Sequence, residues 1–330
     1  MAVASARAGE ERRIEKLTAP AHSVIDGTDW FRQLRGVTSE LLKHIALPLA
    51  LFAVLFGMGL SLVPADFRRV VLQPKAKLIG LGCQLLLLPA VAFLLALIFR
   101  LPGELAVGLM VLAACPGGAT SNVITHLSKG DTALSVTLTA VSSMACVFTI
   151  PWIVGWSMDW FLGSGAAVAL PFWKTLAQLA FVTILPILCG MALRHARPAL
   201  ALRLERPANI FALVFLALII AAAVAREKDL AHQFAVAGPA AITLNLVMML
   251  LGFGIGKLAG LPRPQRVTLA IETGIQNGTL ALAITLGLLE STRIAMPAVV
   301  YSLFMFLSGA AMITWFGRRR STKKGSVKNS

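Results

Sequence analysis

Nine apolar stretches follow one another along this chain, separated by short polar segments. A transmembrane helix needs about 20 mostly apolar residues to cross about 30 Å of hydrocarbon. By that criterion the pattern predicts transmembrane helices at roughly residues 45–64, 77–99, 104–127, 131–155, 171–193, 207–225, 231–258, 264–289 and 294–316. We therefore predict an all-α polytopic membrane protein with about nine transmembrane helices.

Polar segments flank this region. Residues 1–43 mix acidic and basic side chains, as a partly disordered tail does, although Trp30 to Lys43 would also suit a helix lying on the membrane surface. The predicted organisation is thus a polar tail at 1–43, a transmembrane domain at 44–317 and a basic tail at 318–330. Since the tail has no signal-peptide core, we expect the first span to remain as an anchor.

Two predicted helices are interrupted. The third contains Pro116-Gly117-Gly118-Ala119-Thr120-Ser121-Asn122, and the eighth contains Glu272-Thr273-Gly274-Ile275-Gln276-Asn277-Gly278. Backbone can leave a helix at membrane depth only where protein, water or a ligand satisfies the freed carbonyl and amide groups. Two such breaks indicate one binding site.

The breaks occupy matching positions in two halves of the chain. Spans two to four and spans seven to nine each consist of a helix with an amide side chain (Gln84 or Asn245), a broken helix and a helix with hydroxyl side chains. Span two runs opposite to span seven, so the predicted repeats are inverted. Interrupted segments at matching positions of such repeats point to the binding site of a secondary transporter.

Composition and charge narrow the class of protein. Hydrophobic residues make up 57% of the chain and charged residues 14%, which favours a lipid bilayer as the surroundings. The net charge of +15 does not indicate a nucleic-acid partner, because Lys and Arg lie in short loops and tails, where the positive-inside bias accounts for them. The basic loops follow spans one, three, five and seven, and the C-terminal tail is basic. We therefore predict a multi-pass protein of the cell (inner) membrane, with a cytoplasmic C-terminus and the N-terminus outside.

Glu272 is the centre of the candidate chemistry. A carboxylate within the membrane is costly unless it is protonated or holds a cation. Neutral oxygens for such a cation are available from Gln84, Ser121, Asn122, Ser135, Thr139 and Gln276. The scarcity of further acids argues against Ca²⁺ and leaves Na⁺ or H⁺. The N-terminal ends of the half-helices carry partial positive charge and would favour an anion.

Other interpretations stay open at this stage. Ser and Thr in membrane helices often bond to their own helix, Gln84 and Asn122 could join helices, and Glu272 could be a protonated structural acid. The chain could be a Na⁺-coupled carrier, a proton-coupled carrier, a metalloid exporter using Cys115, or a sensor that does not transport. No nucleophile is paired with a base and no phosphate motif occurs, so we predict no enzyme, no catalytic residue and no organic cofactor.

At these residues the chain resembles the bile acid:sodium symporter family, over roughly residues 45–316. The resemblance rests on motifs in the family's order: Phe56-Gly57-Met58-Gly59-Leu60, Pro64-Ala65-Asp66-Phe67, Gln84, Cys115-Pro116-Gly117-Gly118, Ser121-Asn122, Ala133-Leu134-Ser135-Val136 with Thr139, and Glu272-Thr273-Gly274-Ile275-Gln276-Asn277. It implies a core domain and a panel domain, with two discontinuous helices that cross in the core. The implied function is Na⁺-coupled symport of an organic anion by alternating access, with no obligatory protein partner.

The resemblance also implies residue roles. A first Na⁺ site would be formed by Ser121, Asn122, Ser135, Thr139 and Glu272. A second would be formed by Gln84, Glu272 and Gln276 with the backbone carbonyls of Thr273 and Ile275. Ala119, Thr120 and Asn277 would contact the organic anion.

Three departures bear on the type of member and its substrate. Bacterial relatives commonly have ten spans, whereas nine are predicted here. In this respect the chain resembles the nine-span animal members of the family. Met305-Phe306 stands where some bile-acid-binding relatives carry His and Asn, and Ala119 replaces a hydroxyl residue. We therefore expect a small carboxylate, such as pantoate or a 2-oxo acid, as readily as a bile-acid-like sterol.

Overall fold

The computed structural model describes residues 47–61, 74–163, 172–226 and 230–317. These residues form eleven helices and no strand. In chain order the helices are α1 (Leu47–Ser61), α2 (Pro74–Ile98), α3 (Gly103–Ala114), α4 (Ala119–Leu127), α5 (Thr132–Leu162), α6 (Phe172–Ala196), α7 (Pro198–Arg226), α8 (Leu230–Leu258), α9 (Arg263–Gly274), α10 (Gly278–Leu288) and α11 (Thr292–Gly317). The all-α prediction is confirmed for this part of the chain. The predicted tails at 1–43 and 318–330, and the motif at 64–67, lie outside the described residues.

Apart from the two breaks at 115–118 and 275–277, the predicted transmembrane segments are largely helical where they are described, although several bounds differ. Helix α7 begins at Pro198 rather than at 207, and α5 continues to Leu162 rather than ending at 155. Within the described ranges, α2, α8 and α11 are each long and apolar enough to cross a membrane. A fourth span is added if the two parts of α5 are counted together. The remaining described helices do not meet this criterion one by one, so the count of nine spans stays a prediction.

Helix α5 is positioned by its start and by a bend. The carboxylate of Asp131 caps its first turn by accepting a hydrogen bond of 3.0 Å from the amide of Leu134. Its two parts, Thr132–Cys146 and Phe148–Leu162, are bent by 58°. Pro151 lies inside the second part and lacks the amide hydrogen that would bond to the carbonyl one turn earlier, which accounts for a kink here.

The core surrounds α3, which is buried on all sides from Leu105 to Ala114 and packs against α5 and α11. Helix α1 packs mainly against α6 and α7. Leucines also cover outward-facing surfaces, with Leu86 74% exposed and Leu250 72% exposed. Helices that are apolar both inside and outside are those of a bundle surrounded by lipid.

Two tight turns close the hairpins α2–α3 and α10–α11. Arg100 and Glu290 adopt positive φ angles of 50° and 48° in these turns. The turns also lie beside each other, because Arg293 is 3.2 Å from Glu104 in an exposed ion pair. The ends of the α2–α3 and α10–α11 hairpins are therefore neighbours.

Candidate cation and substrate site

The two interrupted segments lie against each other. Gly117, between α3 and α4, pairs with Gln276, between α9 and α10, in an antiparallel backbone bridge. Beside it, the amide of Asn277 donates a hydrogen bond of 2.9 Å to the carbonyl of Pro116. Each break thus satisfies backbone groups freed by the other, which non-helical backbone at membrane depth requires.

Local sequence explains why the helices stop here. Pro116 lacks the amide hydrogen that a continuing helix needs, and the preceding Cys115 is extended, with φ −73° and ψ 151°. Gly117 lies directly against the side chain of Glu272. A Cβ atom at this position would lie 2.7 Å from Oε2 of Glu272, which is closer than real Cβ atoms approach. The backbone of the first break, at Gly117, therefore lies directly against the carboxylate of Glu272 beside the second break.

Glu272 is buried, with 4% of its surface exposed, and its carboxylate meets three hydroxyl groups. Ser121 Oγ lies 2.6 Å from Oε1, and Ser135 Oγ also donates to Oε1. Thr139 Oγ1 donates to Oε2 over 2.9 Å. Three elements, α4, α5 and α9, thus contribute to one polar cluster.

This cluster has more acceptors than hydroxyl protons. Ser121 Oγ also lies 2.7 Å from the carbonyl of Gly118, and Ser135 Oγ lies 2.8 Å from Oδ1 of Asn122. A hydroxyl has one proton and can donate to only one of its two acceptors at a time. The carbonyl of Gly118 also accepts a hydrogen bond of 2.9 Å from the amide of Ser121, so each of these oxygens can keep a donor. What the cluster lacks among the described residues is a positive charge, and a buried carboxylate without one suits a bound cation or a proton on Glu272 itself.

Arg266 does not supply the missing positive charge. It is the basic residue within the predicted eighth span, but its Nε donates to the carbonyl of Leu261, two residues before the start of α9. The described residues also contain no group of three His, Cys, Asp or Glu side chains that could hold a metal ion. The thiol of Cys115 donates to the carbonyl of Val111, in the preceding helix α3, over 3.2 Å.

Gln84, on α2, forms hydrogen bonds to both breaks. It lies in a π-helical turn of α2, Cys83–Leu87, and such turns are frequent at functional sites. Its Nε2 donates to the carbonyl of Cys115 over 3.0 Å and to Oε1 of Gln276 over 2.8 Å. Its own Oε1 is buried and has no hydrogen-bond partner among the described residues. A buried carbonyl oxygen without a donor is costly and is a ready cation ligand.

Hydrogen bonds also fix the backbone of the second break near the side-chain amide of Gln84. Gln276 Nε2 donates to the carbonyl of Thr273 over 2.8 Å. The hydroxyl of Thr273 bonds elsewhere, to the carbonyls of Leu269 and Met248. Ile275 is extended, with φ −111° and ψ 103°. All members of the predicted second Na⁺ site therefore lie at or beside the second break.

The three predicted substrate residues do not share one environment. Thr120 lines a cavity of about 570 Å³. Ala119 begins α4, and its side chain is outside the described residues. Asn277 is absent from the cavity lining, and its Oδ1 caps α10 by accepting a hydrogen bond of 3.0 Å from the amide of Leu280. A helix-capping role for Asn277 was not predicted from the sequence.

A pair of hydrogen bonds to the second break, called the clasp below, was not predicted from the sequence. The carbonyl of Gly274, the last residue of α9, accepts hydrogen bonds from Asn245 Nδ2 at 2.6 Å and from the hydroxyl of Tyr301 at 2.9 Å. Both side chains are fully buried. A usable signal was present, since Tyr301 is the only tyrosine of the chain and a buried tyrosine hydroxyl usually has a partner.

Comparison with known proteins gives a consistent result. A model described as the Sodium Bile acid symporter family matches residues 48–234. An uncharacterized sodium-dependent transporter, YocS, of Bacillus subtilis is 29% identical over 279 residues, which cover 84% of this chain and 84% of that protein. A probable sodium/metabolite cotransporter, BASS2, chloroplastic, of Oryza sativa is 26% identical over 81% of this chain and 62% of its own length. Human sodium/bile acid cotransporter 4 is 29% identical over 78% of this chain and 58% of its own length. The chain thus spans less than two thirds of the plant and human proteins.

Proposed function

This chain belongs to the sodium bile acid symporter family, whose members are membrane transporters rather than enzymes, and we propose that it couples Na⁺ entry to the uptake of an organic anion. The coupling ion and a small organic anion are then its substrates, and the lipid bilayer is its surroundings. Transport would proceed by alternating access in the cell membrane, with the C-terminus in the cytoplasm and the N-terminus outside. The nine-span count and the inverted repeat belong to the same proposal.

The observation that carries this proposal is the buried carboxylate of Glu272, which has no cationic partner among the described residues. Hydroxyl oxygens of Ser121, Ser135 and Thr139 surround it. A monovalent cation among these oxygens would remove the uncompensated charge. We therefore assign the first Na⁺ site to Ser121, Asn122, Ser135, Thr139 and Glu272.

A second Na⁺ site would use the unpartnered oxygen of Gln84. Its ligands would be the side-chain oxygens of Gln84, Glu272 and Gln276 and the backbone carbonyls of Thr273 and Ile275. All of these ligands are oxygen atoms, which hard cations prefer. Because Glu272 belongs to both sets, filling one site changes the charge felt at the other, so the two sites would be coupled.

The anion would bind beside the breaks, where Ala119, Thr120 and Asn277 lie. We assign α1, α6 and α7, which pack on one another, to a panel domain, and the remaining helices to a core domain. Relative movement of two such units around a fixed site is the usual form of alternating access. Na⁺ bound at the paired breaks would raise the affinity for the anion, and by reciprocity the anion would raise the affinity for Na⁺.

Flux in proteoliposomes tests the function. A thermal-shift screen of carboxylates in Na⁺ and in choline buffer first selects ligands whose stabilisation requires Na⁺. The labelled ligand should then accumulate only with an inward Na⁺ gradient, and collapse of that gradient should release it. Accumulation driven by a proton gradient in choline buffer would instead identify a proton-coupled carrier. Na⁺-dependent binding without accumulation would identify a sensor.

A further inference from the structure

The cavity of about 570 Å³ is formed by three helices, α4, α7 and α11. Its lining consists of Thr120, Val123, Ile124, Leu127, Leu202, Glu205, Arg206, Ile210, Phe306 and Ile313. Seven of these ten residues are apolar. The volume lies within the range of about 300–1,000 Å³ that is typical of sites for small organic molecules.

One end of the cavity lies close to the first break. Thr120 is in the first turn of α4, immediately after the break, and Leu127 is the last residue of that helix. At 1.5 Å per residue, the cavity follows α4 for about 10 Å. A molecule in it would therefore contact Thr120 while its remaining part lies between aliphatic side chains.

Two charged residues of α7 face this apolar space. Arg206 is exposed and Glu205 is half-buried, and neither forms an ion pair with another described residue. Because Arg206 lines a mostly apolar cavity and has no ion-pair partner among the described residues, its charge is available to an anionic ligand there. Its planar guanidinium matches a carboxylate with two parallel hydrogen bonds.

We propose that Arg206 is the residue that pairs with the transported anion in this cavity, and that the chain selects organic monocarboxylates with an apolar body. The inference rests on the proposed function and specifies its substrate. Seven apolar lining residues favour a hydrocarbon or aromatic body, and Thr120 is the one hydroxyl group in the lining. A hydroxyl-rich acid such as pantoate would leave its hydroxyl groups without partners, which costs affinity.

Glu205 disfavours ligands that carry a second negative charge. It lies beside Arg206 in the same lining, so a second carboxylate on the ligand would meet a negative charge. Like charges at close range in a partly desolvated site oppose binding. Arg206 and Glu205 together therefore favour the binding of monoanions over dianions.

Three matched probes test the proposal: 3-phenylpropionate, its neutral amide, and benzylmalonate, which adds a second carboxylate to the same body. Na⁺-dependent uptake by the full chain in proteoliposomes should be highest for 3-phenylpropionate. Arg206→Gln should raise its KM by about tenfold or more, because a charged hydrogen-bond pair is lost, and Arg206→Lys should raise it less. Arg203→Gln, an exposed arginine of the same helix outside the cavity lining, is the matched control and should leave KM unchanged.

Glu205→Gln should improve benzylmalonate uptake relative to 3-phenylpropionate. An unchanged KM in Arg206→Gln would overturn the proposal while Na⁺-coupled transport stands. A wild-type preference for pantoate or benzylmalonate would also overturn it. If the wild-type chain takes up no carboxylate in a Na⁺-dependent way, the proposed function fails, and this inference fails with it.

Discussion

The backbone amide of Asn277 donates a hydrogen bond of 2.9 Å to the carbonyl of Pro116, which makes the two breaks of the chain one structural unit. A displacement of either break must therefore move the other or lose this bond. The carboxylate of Glu272 lies beside Gly117 of this unit, and Gln84 bonds to both breaks. Under the proposed function, a cation bound beside Glu272 or Gln84 would therefore act on both breaks.

Glu272→Gln should abolish Na⁺-stimulated uptake while the protein stays folded. The amide keeps the shape of the carboxylate and a carbonyl oxygen for the hydroxyl groups, but it removes the negative charge that would hold the cation. The thermal stability without Na⁺ should change little or rise, because an unpaired buried charge is removed. Stabilisation by Na⁺ should disappear in the same thermal-unfolding measurement. Retained Na⁺-stimulated uptake would contradict the assignment of Glu272.

Ser135→Ala and Thr137→Ala form a matched pair on α5. Ser135 contacts Glu272 and Asn122, whereas Thr137 bonds to the carbonyl of Ala133 in its own helix. Loss of one oxygen ligand should raise the Na⁺ concentration for half-maximal uptake by about tenfold in Ser135→Ala. Thr137→Ala should leave it unchanged. Equal effects of the two substitutions would indicate a general change in α5.

Gly117→Ala should impair Na⁺ binding more than Gly118→Ala. A Cβ at Gly117 would lie 2.7 Å from Oε2 of Glu272 and must displace the carboxylate. At Gly118 the nearest atom would be Oγ1 of Thr120, at 3.3 Å, and a small shift suffices. We expect about a tenfold or larger loss of Na⁺ affinity for Gly117→Ala. Na⁺ titration by thermal shift measures both, and a larger loss in Gly118→Ala would refute the packing argument.

Gln84→Leu tests the second cation site. Leucine is similar in size but removes the unpartnered oxygen and both donated hydrogen bonds. If two Na⁺ ions bind cooperatively, the Hill coefficient for Na⁺ should fall from above one to about one, since only the first site remains. Na⁺-dependence of uptake measured at saturating substrate gives this value. A Hill coefficient of one in the wild-type chain would argue for a single site.

Tyr301→Phe should weaken the clasp on Gly274 without creating a cavity. The lost hydroxyl leaves Asn245 as the remaining donor to that carbonyl, and the expected cost in unfolding free energy is about 1 kcal/mol. Because Gly274 lies between Glu272 and Gln276, the Na⁺ affinity should fall as well, while the KM for substrate at saturating Na⁺ stays close to that of wild type. Unchanged Na⁺ affinity would limit Tyr301 to a role in stability.

Much of the site could be predicted because helix geometry relates residues close in sequence. Ser135 and Thr139 are four positions apart and share one face of a helix, and both bond to Glu272. Pro116 and the adjacent glycines predict the first break from backbone chemistry alone. Asn277 shows the limit of this reasoning, since an amide beside a helix start can cap that helix as readily as it can face a ligand.

The sequence by itself determined the apolar helices, the two breaks and the types of oxygen that surround them, because these depend on local composition and backbone preference. Only the tertiary structure decided that the breaks bond to each other, that Tyr301 and Asn245 hold Gly274, and that Arg206 faces a cavity. Helices that are apolar on every side give no periodic signal for which face meets which neighbour. Those pairings follow from how the helices pack, and a hydrogen bond between distant residues exists only once that packing has brought its two groups together.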